Sequence, residues 1–139
     1  MIREWTDYYA GRRVLVTGHT GFKGSWLALW LAQLGAKVSG LALPPDQKPN
    51  LYTIIGGDGF IESYSCDVRD QREVEATIGQ VSPEIVFHLA AQSLVKRGYA
   101  QPTVTLATNV MGTAHVLEAA RKTDSVTAIV NVTSDKCYG

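Results

Sequence analysis

Apolar and polar positions switch between two periods along almost the whole chain. Val14-Leu15-Val16 is a short apolar run halted by Thr17-Gly18, the pattern of a buried strand. From Phe22 the apolar residues Phe22, Trp26, Leu29, Trp30 and Leu34 recur at threes and fours, which predicts a helix closed by Gly35 with its aromatic stripe packed into the core. Lys37 to Leu43 reads as a second strand, broken by Pro44-Pro45, and Gly59 to Tyr64 as a third. Pro44 to Asp58 between them reads as surface loop with one helical turn. Val74, Ile78 and Val81 share one face of a helix that starts near Asp70 and ends by Gly79-Gln80. Glu84 to Leu89 is a fourth strand. Pro102 then opens a long helix through Ala107, Met111, Ala114 and Leu117, with Arg121-Lys122 in its last turn. Val126 to Val132 is a fifth strand.

Strand, helix, strand, repeated in one direction, requires crossover connections and hence a parallel sheet covered by helices. Right-handed crossovers then give an α/β doubly wound sheet in the order 3-2-1-4-5. The 139 residues make one domain, 1–139, with no internal repeat and no Gly/Ser linker. Hydrophobic residues at 45% and charged ones at 19% are the balance of a globular chain. Thirteen Lys plus Arg against thirteen Asp plus Glu leave a net charge of zero, so nothing favours nucleic acid or an anionic membrane surface as partner. Apolar runs such as Trp26 to Leu31 fall far short of the roughly 18 residues of a membrane span. Glu4 and Asp7 stand where a secretory signal needs a basic start and an apolar run. Cys66 and Cys137 are too few for a disulfide scaffold or a zinc cage, so no metal site is expected and the setting expected is the cytoplasm.

The first strand runs into Gly18-His19-Thr20-Gly21-Phe22-Lys23-Gly24 and directly into a helix. In G-x-x-G-x-x-G the first glycine permits the tight turn, the second lets the backbone approach a pyrophosphate, and the third lets helix and strand pack closely. The N–H groups at the start of the helix then hold the anion. Gly18, Thr20, Gly21, Phe22, Lys23 and Gly24 are therefore candidate cofactor-binding residues. Three glycines in a turn that needs positive φ is the plainer alternative. The spacing and the strand–turn–helix context favour the dinucleotide. The acid that usually ends the second strand is missing from Gly40-Leu41-Ala42-Leu43, no arginine stands there, and Lys23 and Lys48 are loosely placed, so NAD and NADP both stay open. Asp67-Val68 closes the third strand beside the place an adenine would take; the alternative for Asp67 is a helix N-cap, for which Asp70 is better spaced. His88 reads as packed or cofactor-adjacent, and His19 either touches a ligand or is an exposed turn histidine.

The glycine turn, His88-Leu89-Ala90-Ala91-Gln92, Asn109-Val110-Met111-Gly112-Thr113 and Val132-Thr133-Ser134-Asp135-Lys136-Cys137-Tyr138 together resemble the extended short-chain dehydrogenase/reductase superfamily. The turn Gly-His-Thr-Gly-Phe-Lys-Gly-Ser-Trp-Leu at 18–27 and Ser134-Asp135-Lys136 are similar to the CDP-glucose 4,6-dehydratase branch. That resemblance implies an NAD-dependent lyase acting on CDP-glucose, with oxidation at C4, loss of water across C5 and C6, and return of the hydride to C6. Asp135 is then the acid at the C6 hydroxyl, Ser134 the hydroxyl bonded to the C4 oxygen, and Lys136 stands where a related branch has its base near C5. Lysine serves as a base only with a lowered pKa. Leu89, Ala90, Ala91 and Thr133 are expected beside the cofactor, Asn109 in a structural role that relaxes its helix, and a homodimer as the assembly. Cys137 has no partner histidine and is not read as a nucleophile.

The superfamily's Tyr-x-x-x-Lys pair is absent: Tyr8, Tyr9, Tyr52, Tyr64 and Tyr99 are followed four residues on by Arg12, Arg13, Gly56, Val68 and Thr103. The resemblance places that pair and the sugar-binding lobe beyond Lys136, so the expectation is the cofactor-binding part of such an enzyme, inactive alone, with its fifth strand an open edge. Two other readings stay open, another nucleotide-sugar epimerase or reductase of the superfamily and a non-catalytic dinucleotide-binding module.

Overall fold

The computed structural model describes residues 2–134. Its five strands are β1 (Arg13–Thr17), β2 (Lys37–Ala42), β3 (Glu62–Ser65), β4 (Ile85–His88) and β5 (Ala128–Asn131). All neighbouring strands are parallel, in the order β3-β2-β1-β4-β5. The helices are α1 (Ile2–Tyr9), α2 (Phe22–Gln33), α3 (Leu51–Ile54), α4 (Gln71–Val81), α5 (Val95–Ala100), α6 (Pro102–Leu106) and α7 (Gly112–Arg121). Among the described residues, no helix is long and apolar enough to cross a membrane.

β1 is central because it is apolar on both faces. Val14 and Val16 pack with Ala28, Leu31, Val38 and Ile85 under α2, while Leu15 packs with Leu41, Val74, Ile78, Val86 and Val116 under α4 and α7. The Asp70 carboxylate caps α4, accepting from the N–H groups of Arg72 at 3.0 Å and Glu73 at 3.1 Å. Asn50 caps the one-turn α3 in the same way, inside the segment expected to be mostly loop.

Four local expectations change. The aromatic stripe of α2 is not core: Phe22 is 70%, Trp26 51% and Trp30 52% exposed, and the buried positions are Gly24, Ser25, Ala28 and Leu31. A Cβ on Gly24 would lie 2.1 Å from the Gly18 carbonyl oxygen, so α2 crosses the turn too closely for large side chains and its small residues face inward. In the long helix, α6 and α7 are joined by a π-helical turn at Ala107–Met111. The buried seam against α4 is Gly112, Val116, Ala119 and Ala120, whereas Met111 and Leu117 of the expected face are 51% and 39% exposed. A π-turn inserts one extra residue and so rotates the following face. The third strand begins later than expected because Gly57–Gly59 forms a 3₁₀ turn with the Tyr52 ring lying on Gly57. α1 was not visible in the pattern; Tyr9 is its one buried residue, and its Trp5 ring lies 6.5 Å from that of Trp30. β5 is an edge strand among the described residues, with Val130 45% exposed.

Substitution separates the two faces of α2. Trp26→Gln is expected to change the unfolding free energy by less than about 0.5 kcal/mol, and Leu31→Ala to cost about 2–5 kcal/mol. Urea denaturation of both variants measures the difference.

Candidate functional site at the carboxyl edge of the sheet

The glycine turn is built by bonds to the strands on either side. Gly18 has φ +73° and donates its N–H to the Leu41 carbonyl of β2 at 2.8 Å. A Cβ on Gly18 would meet Ala90 N at 2.9 Å, so the turn passes directly against the chain leaving β4. Ser25 of α2 donates its hydroxyl to the His19 carbonyl at 2.9 Å, and Thr20 donates to the Leu43 carbonyl at 2.9 Å. Gly21 differs from the other two glycines. Its backbone is ordinary extended, with φ −78° and ψ 167°, and a Cβ there would meet only the Gly18 carbonyl oxygen, at 3.3 Å. Gly18 and Gly24 are required by the packing of the protein itself. Gly21 is exposed beside Phe22 and Lys23, and the room left by its missing side chain suits close approach of a bound phosphate.

The seam between β1 and β4 is closed by a buried polar cluster. The Thr17 hydroxyl accepts the N–H groups of Leu89 and Ala90, each at 3.1 Å, and lies 2.7 Å from His88 Nδ1. His88, 2% exposed, lies 3.0 Å from the Thr113 hydroxyl through Nε2. His88 is therefore a packed histidine. Leu89 and Ala90 have their N–H groups bonded to Thr17, and their partly buried side chains pack against the two apolar clusters.

The loop after β4 is clasped by the π-turn. Asn109 Oδ1 accepts the Gln92 N–H at 2.7 Å, and its Nδ2 donates to the Gln92 carbonyl at 3.0 Å. Gln92 in turn donates through Nε2 to the Thr105 hydroxyl at 3.0 Å and accepts the Leu94 N–H at 2.7 Å. This gives Asn109 a structural role. At the end of β3, the Asp67 carboxylate pairs with Arg69, whose guanidinium holds it below the usual carboxylate range. Val68 is core, its side chain against Gly112 and its carbonyl accepting from His115 Nδ1 at 2.9 Å. The Val132 N–H donates to the His88 carbonyl at 3.0 Å, which carries Thr133 and Ser134 past β5 on the same sheet edge as the glycine turn. Asp135, Lys136 and Cys137 lie outside the described residues.

A family model described as GDP-mannose 4,6 dehydratase matches residues 15–139. The chain belongs to the GDP-mannose 4,6 dehydratase family. It is 50% identical over 132 residues to a CDP-glucose 4,6-dehydratase of Salmonella typhimurium, covering 95% of this chain and 37% of that protein. A UDP-glucose 4-epimerase of Mycolicibacterium smegmatis is 39% identical over 110 residues, which cover 78% of this chain and 34% of the relative. Among solved structures, a UDP-glucose 4-epimerase of Brucella ovis in complex with NAD superposes with a TM-score of 0.77 at 26% identity, covering 93% of this chain and 38% of that one. The chain thus spans a little over a third of the length of the relatives it matches.

In this member of the family His19 neither lies exposed nor faces the open side of the turn. It is fully buried, its ring on Gly40, where a Cβ would come within 2.3 Å of it. Nε2 pairs with the Ser63 hydroxyl at 2.8 Å, Tyr52 meets the ring edge-on at 5.3 Å, and Nδ1 has no hydrogen-bond partner among the described residues. Gly40 in mid-strand was the sequence signal for this close approach. Below Thr20 and Leu43 lies a cavity of about 250 Å³, lined also by Ala42, Asp58, Ser63 and Ser65. The Tyr52 hydroxyl donates to Asp58 Oδ1 at 2.6 Å. Sequence reasoning missed Asp58, which reaches this place through the α3 and 3₁₀ turns and not from the end of β2.

Burial pushes the His19 ring down to about 4, against smaller opposing pulls from the Leu41 carbonyl and Asp58. A depressed histidine contributes stability that is fully present above its unfolded value near 6.5 and lost as pH falls towards 4, a loss on the order of 3 kcal/mol if fully expressed. Denaturation at pH 6.5 and 4.5 is expected to show a larger loss in the wild type than in His19→Gln, which has no proton to gain; equal losses contradict the assignment.

Proposed function

We propose that this chain is the NAD-binding part of a nucleotide-sugar 4,6-dehydratase that converts CDP-glucose to CDP-4-keto-6-deoxy-glucose. The observation that carries the reading is the glycine turn: two glycines are demanded by packing, and Gly21 leaves space that the protein does not itself use. The 50% identity to a CDP-glucose 4,6-dehydratase supports the substrate. NAD bound there supplies the acceptor for hydride from C4 of the glucose ring and the donor that returns it to C6. The turn, with Gly21, Phe22 and Lys23 exposed, Gly18 and Thr20 half-buried and Gly24 packed behind it, holds the pyrophosphate. Asp67 and Val68 flank the adenine, and Leu89, Ala90, Ala91 and Thr133 border the remainder. Ser134 bonds to the C4 oxygen, Asp135 gives its proton to the departing C6 hydroxyl, and Lys136 takes the C5 proton.

The cavity below Thr20 and Leu43 favours NAD over NADP. Among the described residues its lining includes one carboxylate, Asp58, and no Lys or Arg. A carboxylate that already accepts from Tyr52 has capacity for a sugar hydroxyl as well. It repels the near-double negative charge of a 2′-phosphate.

Calorimetric titration tests this reading. The chain is expected to bind NAD, and Gly21→Glu to abolish binding without loss of fold; a wild type that binds neither dinucleotide overturns it. NADP is expected to bind more weakly than NAD, and Asp58→Asn to narrow that ratio by about tenfold. In an enzyme carrying this segment, Asp135→Asn is expected to slow the formation of the 4-keto-6-deoxy product by about 10²–10⁴-fold.

A further inference from the structure

His88 was not expected to act, and nothing in the proposed chemistry uses it. Its hydrogen bonds nevertheless fix the position of every proton around it. The Thr113 hydroxyl donates to the Asn109 carbonyl at 2.7 Å, and a carbonyl can only accept. A hydroxyl has one proton, so towards His88 Nε2, 3.0 Å away, Thr113 is the acceptor and Nε2 carries the hydrogen. At Thr17 the hydroxyl oxygen accepts the Ala90 N–H at 3.1 Å and shares the Leu89 N–H, at 3.1 Å, with the Thr17 carbonyl, at 3.3 Å. The one proton of Thr17 is thus directed to His88 Nδ1 at 2.7 Å, and Nδ1 is bare. The ring is neutral, in the Nε2–H form. Burial favours the same state, and among the described residues no charged side chain contributes to it.

The cluster joins three segments: the end of β1, the chain leaving β4, and the π-turn whose Asn109 clasps Gln92. A ring proton on Nδ1 would compete with the Leu89 and Ala90 N–H groups for the Thr17 hydroxyl oxygen, leaving Leu89 to the Thr17 carbonyl alone or loosening Ala90. Those two residues form the wall that Gly18 passes at closest approach.

We propose that His88 is a positioning residue for the dinucleotide: as a neutral Nε2–H imidazole held between Thr17 and Thr113, it fixes the Leu89–Ala90 backbone against the glycine turn. This role rests on the dinucleotide-binding reading above.

The test combines imidazole ¹⁵N NMR with NAD calorimetry on the whole chain. At pH 7 the His88 nitrogens are expected to show a protonated Nε2 and a bare Nδ1, and Thr113→Val, which removes the acceptor, to give a mixture of the two neutral forms. His88→Leu keeps the bulk but strands the Thr17 proton, and is expected to weaken NAD binding by about tenfold or more. His88→Asn, which retains an acceptor for Thr17, is expected to recover most of that loss. Thr113→Val leaves the imidazole in place and gives a second measure of the loss should His88→Leu fail to fold. An Nδ1–H or charged ring in the wild type, or unchanged NAD affinity in a folded His88→Leu or Thr113→Val, overturns the positioning role alone. A wild type that shows the expected ring state but binds no NAD overturns the dinucleotide reading, and this role with it.

Discussion

The approach of Gly18 to Ala90 sets the geometry on which the rest of the carboxyl edge depends. There is no room for a Cβ on Gly18, whose φ of +73° an L side chain rarely adopts, and none for a Cβ on Gly24 above the same turn. These two contacts bring α2 onto β1 and bring the end of β1 onto the chain leaving β4. Short separations of this kind decide which residues of α2 are core. Small side chains face the turn, and the large aromatic ones are turned outward, Trp30 lying beside Trp5 of α1.

Polar groups then lock what sterics bring together. Thr17, fully buried at the end of an otherwise apolar strand, accepts the Ala90 N–H through its hydroxyl and holds the Leu89 N–H between its hydroxyl and its carbonyl. His88, Thr113 and Asn109 continue the chain of bonds into the π-turn, where one extra residue shifts the face of α7 and places Gly112 against Val68. A buried network of this type is costly unless every member is satisfied. His19 is the exception, with a bare Nδ1 over Gly40.

The same edge carries the charges that shape recognition. Asp67 is occupied by Arg69, so the carboxylate nearest the end of β3 is screened by its own neighbour. Asp58 lines the cavity below Thr20 instead, delivered by a segment that lies outside the sheet. Under the proposed function, Asp58 takes the place of the carboxylate that β2 lacks.

Much of this was legible in order along the chain. The parallel sheet and its 3-2-1-4-5 order follow from alternating periods and the handedness of crossovers, and the glycine turn from three spacings and its place after the first strand. Asp70 as the α4 cap followed from local propensity, because a cap acts on its own few neighbours, whereas the structural role of Asn109 was implied by the family resemblance. Tertiary structure decided the inward face of α2, the register of α7, the arrival of Asp58 and the burial of His19, for which Gly40 in mid-strand was the local signal. Each of these depends on distances between segments far apart in the sequence, such as Gly18 to Ala90 or Val68 to Gly112. Periodicity reports which residues share a face; it carries no information on how closely that face is approached, and close approach is what turned aromatic residues out and glycines in.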